Sequence, residues 1–307
     1  MRPFRFGVQA VGFETAVDLR ERARRVESLG YAELFTADHL GGPDPFLPLV
    51  VAAEATTTLK FGPLVINNEF HHTALLARAA ATFDRVTGGR LVLGMGTGYQ
   101  RSEHDAGGIQ LRNPPQRVTR FEESLTVLRQ LLDTGEARLA GYEVNVDVDR
   151  LGIRPTGRVP LLVGGHGRRV VGIAGRHADI YQFTGLTHDW TTGDIAAGGF
   201  AIDQLLERRR WLEAAAGDRI TQIDLSSLAQ MLNVTDDNET AESARREAAE
   251  QLGITPDDVD QLPFTLIGSV DEIVAKLERT RELLGIHHYV VRDPEAFAPI
   301  VERLAGT

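Results

Sequence analysis

The sequence alternates short apolar segments with longer amphipathic segments along most of its 307 residues. The short segments are typical of buried strands, and the long ones carry apolar residues at helical spacing. Strands that alternate with helices favour a parallel sheet, because a parallel strand can be reached only through a crossover. We predict eight strands, which cover residues 4–10, 32–36, 59–66, 90–95, 159–163, 179–183, 223–232 and 286–291.

Helices are predicted in most of the intervening segments, and two helix starts carry a capping pattern. Ser269 and Glu272 have the spacing of a capping box, in which each side chain bonds the backbone N–H of the other residue. Asp293 stands before Pro294, and proline suits the first position of a helix. The predicted helices cover residues 14–29, 46–57, 74–86, 117–133, 168–176, 202–216 and 294–304.

Eight strand–helix units favour an α/β fold of the closed (β/α)8 TIM barrel type, and a doubly wound open sheet is the alternative. Barrels of this length are commonly one domain, and no linker or internal repeat divides the chain, so we expect a single domain over residues 1–307. Three long stretches interrupt the alternation, at residues 99–115, 139–157 and 185–199. Such insertion loops are often functional lids or binding loops, or else tolerated surface insertions.

Composition excludes several classes of function. With 33 Lys and Arg against 43 Asp and Glu, the net charge is −10, which suits neither a nucleic-acid backbone nor an anionic membrane. Because Cys is absent, the chain has no disulfide, thiolate nucleophile or Cys-ligated metal. The first residues lack the apolar core of a secretory signal, and no apolar run approaches the ~20 residues that span a bilayer, so we expect a cytoplasmic protein.

Polar residues follow the second and third predicted strands, at the strand ends where barrels place their chemistry. Asp38 and His39 follow the second strand. A neutral imidazole there can polarise a carbonyl or accept a proton near pH 7, or it can make a purely structural hydrogen bond. Asn67 follows the third strand, and its amide can bond the edge of a planar heteroaromatic ring or form a turn.

Two glycine-rich turns follow the fourth and fifth predicted strands, and both expose backbone N–H groups that can approach an anion closely. The second turn also precedes a helix whose N-terminus favours a phosphate, with Arg168 and Arg169 beside it. Neither turn matches a dinucleotide fingerprint or a P-loop, and a tight turn with solvated arginines is the alternative. The two turns are Gly96-Thr97-Gly98 and Gly164-Gly165-His166-Gly167.

Adjacent histidines raise the alternative of a metal-dependent hydrolase. The pairs are His71-His72, with Glu69 close by, and His287-His288. Neighbouring residues on a strand face opposite sides, so neither pair is a natural chelate, and the first strand lacks a His-x-His pattern. We therefore expect no metal ion.

Taken together, these motifs resemble the bacterial-luciferase-like flavin and deazaflavin oxidoreductases. The resemblance extends over nearly the whole chain and rests on the order and spacing of several passages. These are Leu29-Gly30-Tyr31, Ala37-Asp38-His39, Ala80-Ala81-Thr82-Phe83-Asp84, Gly88-Gly89-Arg90, Gly94-Met95-Gly96-Thr97-Gly98, Arg120-Phe121-Glu122-Glu123, Pro160-Leu161-Leu162-Val163-Gly164-Gly165, Ala174-Gly175-Arg176-His177-Ala178-Asp179 and Gly268-Ser269-Val270-Asp271-Glu272.

The resemblance implies a (β/α)8 barrel with a deazaflavin or FMN across its mouth. It implies a non-proline cis peptide bond between Leu64 and Val65 that supports the cofactor ring, and it assigns the cofactor phosphate to the two glycine-rich turns. Asp38 and His39 would lie beside the ring, where His39 would polarise the substrate or exchange a proton. A small organic substrate and a homodimer are expected.

Within this family, the chain is most similar to the actinobacterial branch that uses coenzyme F-420, which implies hydride transfer. Sugar-phosphate dehydrogenases of that branch carry Glu directly after Gly-Thr-Gly, whereas this chain has Tyr99, which argues against glucose 6-phosphate and leaves the substrate open. Two alternatives remain: an FMN-dependent monooxygenase that needs a reductase partner and oxygen, and a non-catalytic flavin-binding barrel. Both cofactors present a ribityl phosphate and a planar ring, so the sequence does not separate them.

Overall fold

The computed structural model describes residues 2–10, 12, 15–185, 187–188, 195–196 and 201–307. The predicted stretch at residues 185–199 therefore lies largely outside the described residues. The strands are β1 (Arg5–Gln9), β2 (Glu33–Thr36), β3 (Lys60–Pro63), β4 (Ile66–Asn67), β5 (Leu93–Gly96), β6 (Ala137–Ala140), β7 (Asn145–Val148), β8 (Leu161–Gly164), β9 (Ile180–Phe183), β10 (Thr187–His188), β11 (Ile195–Ala196), β12 (Asp224–Leu228), β13 (Met231–Val234), β14 (Thr265–Gly268) and β15 (His288–Val291).

Helices fill most of the chain between these strands. They are α1 (Ala16–Ser28), α2 (Leu47–Glu54), α3 (Thr73–Val86), α4 (Arg101–Gly107), α5 (Pro114–Asp133), α6 (Arg168–His177), α7 (Ile202–Ala216), α8 (Asn238–Leu252), α9 (Pro256–Val259), α10 (Val270–Leu284) and α11 (Pro294–Leu304), with a 3-10 helix at Gly217–Gln222. Among the described residues, no helix combines the length and the apolar character required to cross a membrane.

A parallel sheet in the order β3-β2-β1-β15-β12-β9-β8-β5-β4 forms the centre of the fold. Its two end strands, β3 and β4, are halves of one barrel strand, separated by the cis peptide bond Leu64–Val65. The Phe61 N–H donates to Arg90 O (2.8 Å), and Phe61 O accepts from the Val92 N–H (2.8 Å), which joins β3 to the segment before β5. The sheet therefore closes, and the (β/α)8 barrel is confirmed against the open-sheet alternative.

Closure of the barrel depends on a glycine. A Cβ atom on Gly62 would lie 1.7 Å from the carbonyl oxygen of Val92. Since real Cβ atoms do not approach oxygen so closely, any side chain here would separate β3 from its neighbour.

Two apolar layers pack on opposite sides of the barrel strands. A small cluster of side chains is almost fully buried and alternates along the strands with residues that face the helices, which places it inside the barrel. The members of this cluster are Phe35, Leu64, Val92, Leu162, Ile180 and Val290. A much larger cluster lies between the strands and the helices. The inner cluster fills the barrel below its C-terminal mouth.

Several predicted elements need correction. The predicted strand at residues 223–232 is two strands, because β12 joins the barrel and β13 pairs in parallel with β14 outside it. The predicted third strand is divided into β3 and β4. Of the predicted insertions, residues 99–115 contain α4 and residues 139–157 contain most of the antiparallel β6–β7 hairpin. The strand β14 and the helices α8 and α9 were not predicted.

Both predicted helix starts are confirmed. Ser269 Oγ accepts from the Glu272 N–H (3.3 Å), and the Glu272 carboxylate accepts from the Ser269 N–H (2.7 Å). Asp293 caps α11, where Pro294 occupies the first helical position. The bounds of α7 and α11 match the predicted helices at residues 202–216 and 294–304.

Candidate active site

A cavity of about 470 Å³ opens at the C-terminal ends of the barrel strands. Each of the eight barrel strands, or the loop that follows it, contributes to the wall, because parallel strands end at the same rim. Every site residue predicted from the sequence lines this cavity. These residues are Asp38, His39, Leu64, Val65, Asn67, Gly96, Thr97, Gly98, Gly164, Gly165, His166 and Gly167.

The peptide bond between Leu64 and Val65 is cis, as the resemblance implied. The Leu64 carbonyl accepts from Gln9 Nε2 (2.7 Å), and Gln9 is almost fully buried. A Cβ atom on Gly96 would lie 2.7 Å from Val65 Cγ2, so the glycine leaves room for the valine side chain. Strands β1, β3 and β5 thus fix this segment of the cavity wall together.

Asp38 anchors the loop that follows β4. Its Oδ2 accepts from the Asn67 backbone N–H (2.9 Å) and is 2.8 Å from His71 Nε2. The carboxylate makes no hydrogen bond to His39 within the described part of the chain. Asp38 thus holds Asn67 and His71 in place.

His39 is paired with Glu103, which the sequence analysis did not identify. His39 Nδ1 lies 2.8 Å from Glu103 Oε1, with side chains that are 41% and 13% exposed. The carboxylate can only accept when ionised, so Nδ1 carries the hydrogen and Nε2 is the proton-accepting nitrogen. No residue within the described ranges bonds this Nε2. His39 therefore has the arrangement of a general base with a carboxylate behind it.

Tyr99 lies beside this pair. Its ring is edge-on to the His39 ring, with centroids 6.3 Å apart. Burial, followed by the negative charge of Glu103, raises the pKa of the Tyr99 hydroxyl, and Arg292 acts in the opposite direction. The hydroxyl is therefore neutral at physiological pH and can donate a hydrogen bond.

Both polar atoms of the Asn67 side chain are already hydrogen-bonded to protein groups. Its Oδ1 accepts from the Glu69 N–H (3.0 Å), and its Nδ2 lies 3.3 Å from His104 Nε2. His104 Nδ1 faces the Ile109 carbonyl (3.3 Å), so Nδ1 carries the hydrogen and Nε2 accepts from the amide. Burial lowers the pKa of His104, which favours this neutral form. Asn67 thus makes the turn that was the alternative in the sequence analysis.

The turn after β8 forms a cradle of backbone groups at the start of α6. Gly167 caps this helix and has no side chain to bond the first N–H groups, which leaves them open to an anion as far as the described residues go. Gly165 has φ +155°, and a Cβ atom there would lie 2.5 Å from Val170 Cγ1. Of the two neighbouring arginines, Arg169 lines the cavity and Arg168 does not. We call the Gly164–Gly167 turn and the start of α6 the α6 cradle.

Two buried polar atoms near the cavity lack a hydrogen-bond partner among the described residues. They are Thr184 Oγ1 and Glu103 Oε2, and both residues line the cavity. Buried polar atoms are normally paired, so these two are suited to contact a bound molecule. Together with the α6 cradle, they fit an extended ligand that has an anionic group at one end and polar atoms along its length.

Comparison with known proteins identifies the family. A family model described as luciferase-like monooxygenase matches residues 3–197. The chain belongs to this family. The resemblance inferred from the sequence is thus confirmed, and it places this luciferase-like chain in a family of oxidoreductases.

Curated relatives are similar over half or more of this luciferase-like chain. The 5,10-methylenetetrahydromethanopterin reductase of Methanolobus tindarius is 26% identical over 57% of the chain, and the match spans only 52% of that reductase. The F-420-dependent glucose-6-phosphate dehydrogenase of Nakamurella multipartita is 27% identical over 95% of the chain and 91% of its own length.

Solved structures share the complete fold. The coenzyme F-420-dependent tetrahydromethanopterin reductase of Methanopyrus kandleri has a TM-score of 0.77 at 18% identity, covering 99% of this chain and 98% of its own. An F-420-dependent secondary alcohol dehydrogenase, solved with an F-420–acetone adduct, has the same score and identity, with 98% coverage of each chain. At these identities the likeness establishes the luciferase-like barrel.

The histidine pairs of this luciferase-like barrel lie apart. His71 contacts Asp38 at the cavity, whereas His287 and His288 lie at the opposite, N-terminal end of the barrel strands. There His287 Nε2 is 3.2 Å from Asp224 Oδ1, and His288 Nε2 is 3.4 Å from Glu33 Oε2. The structure thus does not bring the two pairs together.

Proposed function

We propose that this chain is a coenzyme F-420-dependent oxidoreductase that transfers a hydride between the deazaflavin and a small organic substrate. The observation that carries the proposal is the position of the His39–Glu103 pair on the wall of the same cavity as the α6 cradle. A relative that aligns with 95% of the chain is named as F-420-dependent, and so are two structures of the same fold.

The cavity fits the cofactor at three places. The α6 cradle and Gly96-Thr97-Gly98 would hold the phosphate through backbone N–H groups, because a helix start favours an anion. The Leu64–Val65 segment would support the ring, and Thr184 Oγ1 would gain the partner that it lacks. When bound, the deazaflavin supplies a ring carbon that accepts or donates a hydride.

His39 would handle the proton that accompanies hydride transfer. With Nδ1 donating to Glu103, its Nε2 accepts the proton of a substrate hydroxyl, or returns a proton to a carbonyl in the reverse direction. The adjacent carboxylate stabilises the imidazolium while the proton is held, and it fixes the ring orientation. The neutral Tyr99 hydroxyl is a second donor toward the substrate oxygen.

Fluorescence titration of the purified protein with coenzyme F-420 and with FMN tests the proposal. We expect F-420 to bind more tightly. FMN binding that is tenfold tighter, which corresponds to about 1.4 kcal/mol, would overturn the assignment and favour an FMN-dependent monooxygenase with a reductase partner.

We further propose that residues 1–307 form one domain and that the enzyme is a cytoplasmic homodimer without nucleic-acid or membrane partners. The net charge of −10 supports the last part, since it repels both polyanions. Light scattering on the purified protein would establish the number of subunits, and a monomer across micromolar concentrations would contradict the dimer.

A further inference from the structure

Arg292 follows β15 and lines the cavity together with His39. Its Nε donates to Gln9 Oε1 (3.0 Å), and its Nη1 donates to Gln230 Oε1 (3.3 Å). The Gln9 amide is itself fixed, because its Nε2 donates to the Leu64 carbonyl. Two neutral amide oxygens therefore hold the guanidinium in a defined orientation.

The charge of Arg292 is not balanced nearby. Within the described ranges, no carboxylate lies within 4.0 Å of its guanidinium, and Nη2 makes no hydrogen bond. By contrast, Arg112, which lies between α4 and α5, contacts both Glu69 and Glu143 at 3.0 Å. Arg292 is exposed at the open mouth of the cavity. Desolvation by the cavity wall lowers the pKa of its guanidinium, although an arginine stays charged at neutral pH. A cation held by neutral groups and with unused donors suits an anionic ligand.

The barrel order places Arg292 on the His39 side of the cavity. Strands β2, β1 and β15 are consecutive, whereas β8, which leads into the α6 cradle, is three strands beyond β15. The charge of Arg292 also acts on the Tyr99 hydroxyl, and the Tyr99 ring is 6.3 Å from that of His39. The guanidinium and the imidazole are thus neighbours of the same aromatic ring.

We propose that Arg292 binds the carboxylate of the substrate, which makes the substrate class a short oxo or hydroxy carboxylic acid. The inference rests on the proposed function, in which His39 exchanges a proton with the reacting hydroxyl or carbonyl of the same substrate. A single guanidinium neutralises one negative charge, and its planar fork matches the two oxygens of a carboxylate. The neutral amides of Gln9 and Gln230 position the Arg292 guanidinium and do not neutralise its positive charge.

Binding of a matched pair of ligands tests this inference without relying on turnover. The probes are 4-oxopentanoate and its methyl ester, which differ in the negative charge, titrated by ligand-observed NMR with and without F-420. We expect the acid to bind at least tenfold more tightly than the ester. Arg292→Met should remove that difference, whereas Arg303→Met, a charge-matched control on α11 outside the cavity, should retain it.

The outcomes separate this inference from the cofactor proposal. Equal binding of acid and ester by the unaltered protein, or a preference that survives in Arg292→Met, would overturn the role of Arg292. Loss of F-420 affinity in Arg292→Met with the acid preference intact would assign the residue to the cofactor and equally end the inference. Failure of the unaltered protein to bind F-420 contradicts only the proposed function, because the titration without cofactor still reports on Arg292.

Discussion

His39 Nδ1 and Glu103 Oε1 are 2.8 Å apart, although 64 residues separate them in the sequence. The contact forms because α4 turns Glu103 toward the end of β2 across the cavity mouth. Asp38, the acidic neighbour of His39 in the sequence, faces Asn67 and His71 instead. The carboxylate that pairs with His39 thus comes from the insertion that follows β5.

Replacement of His39 by alanine should lower turnover by roughly 10²–10⁴-fold, the usual contribution of a general acid or base. Cofactor affinity should change much less, because the α6 cradle is untouched. Steady-state kinetics and an F-420 titration on the same preparation measure both. A variant that loses thermal stability but keeps its specific activity would show that His39 is only structural.

Glu103→Gln keeps a side chain of the same shape and removes the charge. We expect turnover to fall at least about tenfold, since the imidazolium loses its counter-charge, but less than in His39→Ala. The KM and the F-420 dissociation constant should stay within about threefold. Glu103→Asp, which restores the charge, should recover part of the turnover. Unchanged turnover in Glu103→Gln would mean that the pair does not act in catalysis.

Gly165→Val should abolish cofactor binding, whereas Arg168→Ala should weaken it modestly. Gly165 has φ +155°, and its substituted Cβ would lie 2.5 Å from Val170 Cγ1, so the backbone of the cradle must move. Arg168 does not line the cavity. Fluorescence titrations give the affinities, and circular dichroism checks that both variants are folded. If the arginine variant is the more damaged of the two, a cradle of backbone donors is the wrong description.

The protein should lose stability as the pH falls from 6.5 to 4. Burial lowers the pKa of His287 to about 4, from 6.5 in the unfolded chain, and the charges of Arg2, Arg5 and Arg281 act in the same direction, whereas the hydrogen bond to the Gly285 carbonyl acts against them. In that window the unfolded state binds a proton that the folded state does not, so unfolding becomes easier by up to about 3 kcal/mol.

His287→Asn is the matched test, because an amide N–H can still donate to the Gly285 carbonyl as Nδ1 does. Urea unfolding at pH 7 and at pH 4.5 should show a smaller loss for the variant than for the unaltered protein. His288, whose pKa is also lowered by burial, remains and leaves part of the dependence. Equal losses in the two proteins would assign the acid sensitivity to other groups.

Much of the fold could be predicted because its strands and helices carry strong local patterns. Helices α7 and α11 match their predicted bounds, and the apolar runs that form β2, β8 and β9 are short and clearly bounded. The cis bond came from the family resemblance, since no local pattern identifies it. The closing contact of Gly62 with Val92 is a tertiary relationship that the sequence does not display.

The elements that could not be predicted carry no such local sequence patterns. Helix α4 has seven residues, and its N-cap residue Gln100 makes no side-chain capping hydrogen bond, so nothing in the sequence marks the helix. Because α4 was not predicted, the sequence analysis could not place Glu103 near His39. Strands β13 and β14 are four residues each and are stabilised by pairing with each other. Residues 223–232 contain no glycine or proline, so no local signal marks the point where the chain leaves the barrel.

The residues that line the cavity come from separate stretches of the chain. His39, Gly96-Thr97-Gly98 and the α6 cradle lie within the matched residues 3–197, whereas Gln230 and Arg292 lie beyond them. The loops after β12 and β15 can therefore change without altering the glycine-rich turns after β5 and β8. A barrel built in this way is suited to diversification, because the loops after its last strands can vary while those after its earlier strands are kept.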